Sequence, residues 1–149
     1  MGYVEDVREL VGHRPLILVG SVVIITNANG NILLQKRTFP KGVWGLPGGL
    51  MELGESTEDA AEREVLEETN LHIDSLKLIN VYSGANYFTV AQNGDEFYSV
   101  TTAYYTSDFS GEMVANQEES YQCKFISPDQ LPTEMIGTHR EIIMDFLKL

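Results

Sequence analysis

The chain has 149 residues, 43% of them hydrophobic, with 22 acidic side chains against 10 basic ones and a net charge of −12. This suits one globular domain over residues 1–149, long enough to bury a core. The acidic balance argues against extended nucleic acid or an acidic membrane as partner, since a phosphate backbone needs a basic face; a small anionic substrate fits if a metal and a few placed cations overcome the repulsive background.

Val4, Val7, Leu10 and Val11 recur at helical spacing and predict a short helix over 3–11 that ends near Gly12. Residues 16–26 are nearly continuous in Val and Ile, the pattern of a strand buried on both faces. That apolar run is broken by Gly20 and Ser21 and is far too short to span a bilayer. Asn27-Ala28-Asn29-Gly30 predicts a turn, and 31–37 a second strand. Residues 38–48, with Pro40, Gly42, Gly45, Pro47 and Gly48, read as a loop. A helix then starts at Ser56 or Thr57, either of which can cap it, and Glu58 and Asp59 favour its positive end. Residues 76–82 predict a strand, and 87–92 with 96–106 a hairpin across Asn93-Gly94-Asp95. Another strand covers 121–127, a turn 128–132, and a closing helix 139–147. Helices interspersed with strands of continuous and alternating pattern imply an α/β fold, with a mixed sheet between helices.

Cys123 is the single cysteine, so no intramolecular disulfide can form, which fits a reducing cytosol and a cytoplasmic location. It alternates with Tyr121 and Phe125 and reads as a buried, inert thiol. No charged segment followed by an apolar run opens the chain, so no secretory signal is expected. His13, His72 and His139 have no metal-like spacing and read as structural or surface groups. No Ser-His-Asp set, Walker loop or dinucleotide fingerprint is present.

The densest chemistry lies in residues 49–71, GLMELGESTEDAAEREVLEETNL. Successive helix residues are about 100° apart, so Glu64 falls within roughly 60° of both Glu67 and Glu68. Three carboxylates on one stripe repel by ~1 kcal/mol per pair at 4 Å in water, and by ~4 kcal/mol at an effective dielectric of 20. A hard cation relieves that repulsion, and oxygen-only ligands suit Mg²⁺ or Mn²⁺. Such an ion can neutralise a phosphate and activate water.

This stretch resembles the Nudix box: Gly, five residues, Glu, seven residues, then Arg-Glu-apolar-x-Glu-Glu-x-Gly-apolar. Gly49, Glu55, Arg63, Glu64, Val65, Glu67, Glu68 and Leu71 match it, and the Leu-Pro-Gly-Gly of residues 46–49 and Glu52 extend the match. The late Gly is replaced by Asn70, the usual substitute at a left-handed helix end. The resemblance implies an α/β/α sandwich with the box helix against a mixed sheet. It implies a MutT-like, Mg²⁺-dependent pyrophosphohydrolase (Mn²⁺ as substitute) acting on a nucleoside diphosphate linked to another moiety, with a lean to a nucleotide or dinucleoside polyphosphate. The alternative is a catalytically silent sensor, but such modules typically lose box carboxylates, and this chain keeps them.

By the same resemblance, Glu64, Glu67, Glu68 and the carbonyl of Gly48 are the metal ligands. Glu55 and Arg63 form a pair that orients the turn, and Glu52 is either a supporting acid or a surface residue. The general base is Glu64, or a distal glutamate for which Glu119, in Glu119-Ser120-Tyr121, is the leading candidate. Arg37 matches a position that contacts substrate phosphates, as a guanidinium can do bidentately; Lys36 points to the opposite face. Phe39, Tyr82, Tyr87 and Phe88 are candidate contacts for the base, while Trp44 is as well suited to buttress the turn. Tyr87 stands 16 residues beyond the box, as in dinucleoside-polyphosphate hydrolases of the family, and Asn86 stands where its ADP-ribose hydrolases tend to carry proline. Homodimers are frequent among relatives, so a homodimer is the assembly to look for.

Overall fold

A ten-residue apolar strand needs cover on both faces, and the computed structural model supplies it. The structure describes residues 2–38, 40–116, 118 and 120–149, with Ser120 and Tyr121 described by their backbone alone. Phe39 and Glu119 therefore lie outside the described residues. In chain order the elements are α1 (Tyr3–Val11), β1 (Leu16–Ile25), β2 (Ile32–Arg37), β3 (Trp44–Gly45), β4 (Gly48–Leu50), α2 (Thr57–Thr69), β5 (His72–Ile73), β6 (Lys77–Tyr82), β7 (Phe88–Val90), β8 (Glu96–Thr106), β9 (Phe109–Ser110), β10 (Ser120–Ile126) and α3 (Gly137–Leu147), with 3₁₀ turns at Ala85–Tyr87 and Pro128–Gln130.

β1 pairs in parallel with β8 over its whole length, from Leu16 opposite Phe97 to Ile25 opposite Thr106. β4 lies antiparallel on the other edge of β1, and β6 and β7 pair antiparallel with β8. β10, β2 and β3 form a second, antiparallel sheet, and β5 with β9 a two-stranded ribbon. Alternation along β1 divides the core in two. Val22 and Ile24 pack with Ile32, Leu34, Leu46 and the α3 residues Ile142 and Ile143. Val23 and Ile25 pack with Leu33, Leu71 and the α2 residues Ala61 and Val65. Each large aliphatic side chain buried this way contributes about 1.5–3 kcal/mol. The result is the α/β/α sandwich with a mixed sheet that the sequence leads one to expect.

The box helix α2 begins as its sequence dictates. Ser56 Oγ accepts from Asp59 N at 2.9 Å, and Asp59 Oδ2 accepts from Ser56 N at 3.0 Å, a reciprocal cap. It ends on Asn70 at φ 65°, left-handed as anticipated, with Asn70 Nδ2 donating to Glu112 O. Two expectations change in detail. The loop over 38–48 holds β3 and the start of β4, runs too short to show a period. The first arm of the hairpin is only Phe88–Val90, because Tyr87 sits in a 3₁₀ turn rather than in the strand.

α1 forms as predicted yet buries none of its residues, and Leu10 is exposed. Polar contacts fasten it at both ends. Tyr3 N donates to Glu52 Oε1 at 2.8 Å, and Arg8 donates to the carbonyls of Gly12, Arg14 and Glu96. Glu52 thus holds the start of α1 from within the box turn.

α3 docks through His139, one of the three histidines expected to be structural or at the surface. It is buried, and its Nδ1 accepts from Leu46 N at 3.0 Å, which requires the proton on Nε2. Burial, with the Arg37 charge in second place, holds its imidazole down at about 3. The unfolded chain takes up this proton near pH 6.5 and the folded chain only near pH 3. His139 therefore withdraws stability progressively as pH falls from 6.5 toward 3, and has no such effect above that window. Urea unfolding at pH 7 and pH 4.5 checks this: relative to His139→Gln, the wild type should lose about 2–3 kcal/mol more between the two pH values. Equal losses would remove His139 from the acid response.

Candidate metal and phosphate site

The glycine pair Gly48-Gly49 brings β4 against both β1 and α2. Gly48 has φ 155°, and a Cβ there would stand 2.1 Å from Ser21 O. A Cβ on Gly49 would stand 2.4–2.7 Å from the carboxyl atoms of Glu64. The turn is therefore pressed onto the strand on one side and onto a box carboxylate on the other, which only glycine permits.

Glu68 is the buried member of the carboxylate stripe, with 2% of its surface exposed. Its Oε1 accepts from Gln35 Nε2 at 2.9 Å and from Gly48 N at 3.1 Å, while Oε2 lies 3.5 Å from Gly48 N. Burial pushes its carboxyl up to about 8. The two hydrogen bonds oppose that shift, the Glu64 charge adds to it, and Arg37 counteracts it. Glu68 thus feels Glu64 from one direction and Arg37 from another.

Arg63 organises the rest of the stripe. Its Nε and Nη2 grip Glu55 Oε2 and Oε1 at 2.6 and 2.9 Å, and Nη2 also donates to Leu50 O at 3.0 Å. Glu55 Oε1 accepts in turn from Glu52 N at 2.8 Å. The hydrogen bond from Arg63 holds the Glu55 carboxyl below the usual carboxylate range, and the same bond raises the Arg63 guanidinium. The expected pairing that orients the turn is present. The remaining nitrogen, Nη1, donates to Glu64 Oε1 at 2.8 Å and reaches Glu67 Oε2 at 3.4 Å.

The donors suit a divalent cation: hard oxygens, one carboxylate out of water, and a turn whose missing Cβ atoms leave room for Glu64. They do not form a finished cage. Among the described residues no group of three or more His, Cys, Asp or Glu side chains is arranged to hold a metal. Arg63 draws Glu64 and Glu67 to itself and supplies the positive charge in this arrangement.

Arg37 ends β2 and lines a cleft of about 640 Å³ with Val4, Arg8, Leu18, Leu50, Phe97 and His139, among others. Its Nε is buried without a hydrogen-bond partner among the described residues. The cleft pairs apolar walls with a cation whose field reaches Glu68. Tyr87 lines a neighbouring pocket of about 240 Å³ with Phe97 and His139, and its hydroxyl donates to the Glu141 carboxylate at 2.9 Å. Tyr82 is a core residue with its hydroxyl on Asp145, the Phe88 ring packs at a tilt on Tyr98 with centroids 4.9 Å apart, and Trp44 packs against the core beside the turn. Tyr82 is therefore corrected from a candidate base contact to a structural residue. Cys123 is half-buried, with Sγ 3.9 Å from Glu68 O.

Gln35 escapes a reading of the sequence alone, and so does the burial of His139, which the sequence allows only as a structural or surface group. Gln35 breaks an apolar run, Ile32-Leu33-Leu34, and that interruption is its one visible signal. His139 opens the closing helix with nothing in its neighbours to mark it as buried.

The chain matches the sequence model of the NUDIX domain over residues 17–146. It is 34% identical over 127 residues to a Bacillus subtilis protein provisionally named an 8-oxo-dGTP diphosphatase, covering 85% of this chain and 78% of that one. It is 29% identical over 126 residues to the ADP-ribose pyrophosphatase of Methanocaldococcus jannaschii, covering 84% and 70%. The crystal structure of a MutT NUDIX hydrolase from Burkholderia pseudomallei superposes with a TM-score of 0.74 at 28% identity, covering 87% and 98%. Hydrolases of this kind generally use divalent metal ions. No helix among the described residues is long and apolar enough to cross a membrane. With its box, turn and fold all in place, the chain belongs to the Nudix family and is a hydrolase of pyrophosphate linkages in nucleotide-type compounds.

Proposed function

We propose that this chain, as one catalytic domain, uses Mg²⁺, with Mn²⁺ as a substitute, to hydrolyse a nucleoside diphosphate linked to a second moiety. A nucleotide or dinucleoside polyphosphate is the favoured substrate. The observation that carries the proposal is the buried Glu68 carboxylate, held at the glycine turn and biased by both Glu64 and Arg37. Glu64, Glu67, Glu68 and the Gly48 carbonyl are the residues that would hold the ion. When bound, it neutralises the pyrophosphate and lowers the pKa of the attacking water.

The chain's own groups divide the remaining work. Arg37 grips phosphate oxygens from the wall of the cleft. Val4, Leu18, Leu50 and Phe97 shield the nucleoside end from water, and Tyr87 stands at the adjoining pocket. Arg63 acts through Glu55, keeping the turn and helix in register. Glu64 takes the proton from the attacking water, or Glu119 does. The names of the relatives direct the first assays to 8-oxo-dGTP and ADP-ribose, with diadenosine polyphosphates and nucleotide sugars beside them.

Each substrate is incubated with millimolar Mg²⁺ or with EDTA. At least one should turn over with Mg²⁺ and none with EDTA; undiminished turnover in EDTA contradicts the proposal. Glu67→Gln and Glu68→Gln should each remove most activity while the circular dichroism stays native. Glu64→Gln should lower kcat by ~10²–10⁴ if Glu64 is also the base. Near-wild-type rates from all three variants at saturating Mg²⁺ would exclude them as ligands.

Arg37→Ala should lower kcat/KM ~10–100-fold, the loss of a charge-assisted contact, with the melting temperature little changed. An unaltered KM and kcat would leave the cleft without its phosphate anchor. For the distal base, Glu119→Gln should slow turnover far more than Glu118→Gln. Equal, small effects from the two neighbours would confine the base to Glu64.

A further inference from the structure

Gln35 has no role in the assignments above, yet it is the least expected side chain near the site. It lies on the central strand of the β10–β2–β3 sheet, is 3% exposed, and follows three fully buried aliphatic residues. A buried amide costs about 1–3 kcal/mol for each group left unpaired. Its Nε2 is paired with Glu68 Oε1 at 2.9 Å, but its Oε1 is buried without a partner among the described residues. A leucine or methionine would remove that unpaired oxygen but would also take a donor from the buried Glu68 Oε1. The two effects oppose each other, so stability alone does not account for the amide.

The geometry at Glu68 does. Both donors, Gln35 Nε2 and Gly48 N–H, converge on Oε1, and among the described residues Oε2 keeps only the long 3.5 Å approach of Gly48 N. A carboxylate with its donors gathered on one oxygen is rotationally fixed and leaves the lone pairs of the other free. We propose that Gln35 is a positioning residue for the divalent ion, its amide and Gly48 N–H together orienting Glu68 so that Oε2 is the oxygen offered to the metal. This rests on the assignment of Glu68 as a ligand. Outer partners that orient ligating carboxylates typically carry 10–100-fold in metal affinity.

The test is a Mn²⁺ titration of the metal-free full chain, followed by the EPR signal of free Mn²⁺, for the wild type, Gln35→Leu, Gln35→Met and Glu68→Gln. The melting temperature of each is measured without metal. Both Gln35 variants should raise the Kd for Mn²⁺ ~10–100-fold while their metal-free melting temperatures stay close to the wild-type value. A merely structural role would do the reverse, lowering the melting temperature and leaving Kd alone. A wild-type Kd in either Gln35 variant, or failure of both to fold, overturns the proposal. If Glu68→Gln weakens Mn²⁺ binding and the Gln35 variants do not, only the role of Gln35 falls. If Glu68→Gln also binds Mn²⁺ as the wild type does, Glu68 is not a ligand and the broader assignment falls with it.

Discussion

Glu68 holds a carboxylate out of water at the point where three elements meet, and the site is built around that constraint. It comes from α2, its oxygen is bound by β2 through Gln35, and the same oxygen is bound by the first residue of β4. Desolvation alone would keep such a group protonated, which is the direction in which burial moves it. Two hydrogen bonds and the Arg37 charge work against that shift without cancelling it. A divalent cation would favour the ionised form far more strongly than these partners do. The fold thus keeps a carboxylate whose ionised state is under-compensated by protein alone, and the apolar packing of Val65 and Ala61 beneath α2 supplies the rigidity that holds it there.

Arg63 resolves the complementary problem on the exposed side of the same helix. Three neighbouring carboxylates in a chain of net charge −12 have few cations to draw on. One guanidinium serves several at once, two nitrogens on Glu55 and the third shared between Glu64 and Glu67. Its planar fork suits that geometry in a way a lysine ammonium does not. The network extends through Glu55 to the Glu52 backbone, and through the Glu52 side chain to the start of α1. A helix that precedes the residues matched to the family is thereby tied to the box turn, with Val4 and Arg8 on the wall of the cleft.

The parts legible in the sequence are those governed by local physics. β1 declares itself by a Val- and Ile-rich run interrupted only at Gly20 and Ser21, and α2 by a Ser56–Asp59 cap and a terminal Asn70 able to turn left-handed. The Arg63–Glu55 pair is visible as spacing. β3 and β4 are not, since two or three residues carry no period and their pairing is imposed by β2 and β1. Gln35 and His139 are invisible for a related reason. Their partners, Glu68 and the Leu46 N–H, lie 33 and 93 residues away, and only the folded chain brings them together. Tyr82 shows the opposite error: an aromatic residue that looks free to stack on a base is held in the core by Asp145.

The central claim is that a carboxylate stripe set on a glycine turn directs water onto the phosphorus of a pyrophosphate. Isotope tracing tests it most directly. The substrate that turns over fastest is hydrolysed in H₂¹⁸O with Mg²⁺, and both products are weighed by mass spectrometry. The account predicts one ¹⁸O per turnover, in a phosphate group of one product, and no labelled product when the divalent ion is withheld. Products whose phosphates carry no ¹⁸O, or labelling that persists without the ion, would contradict it.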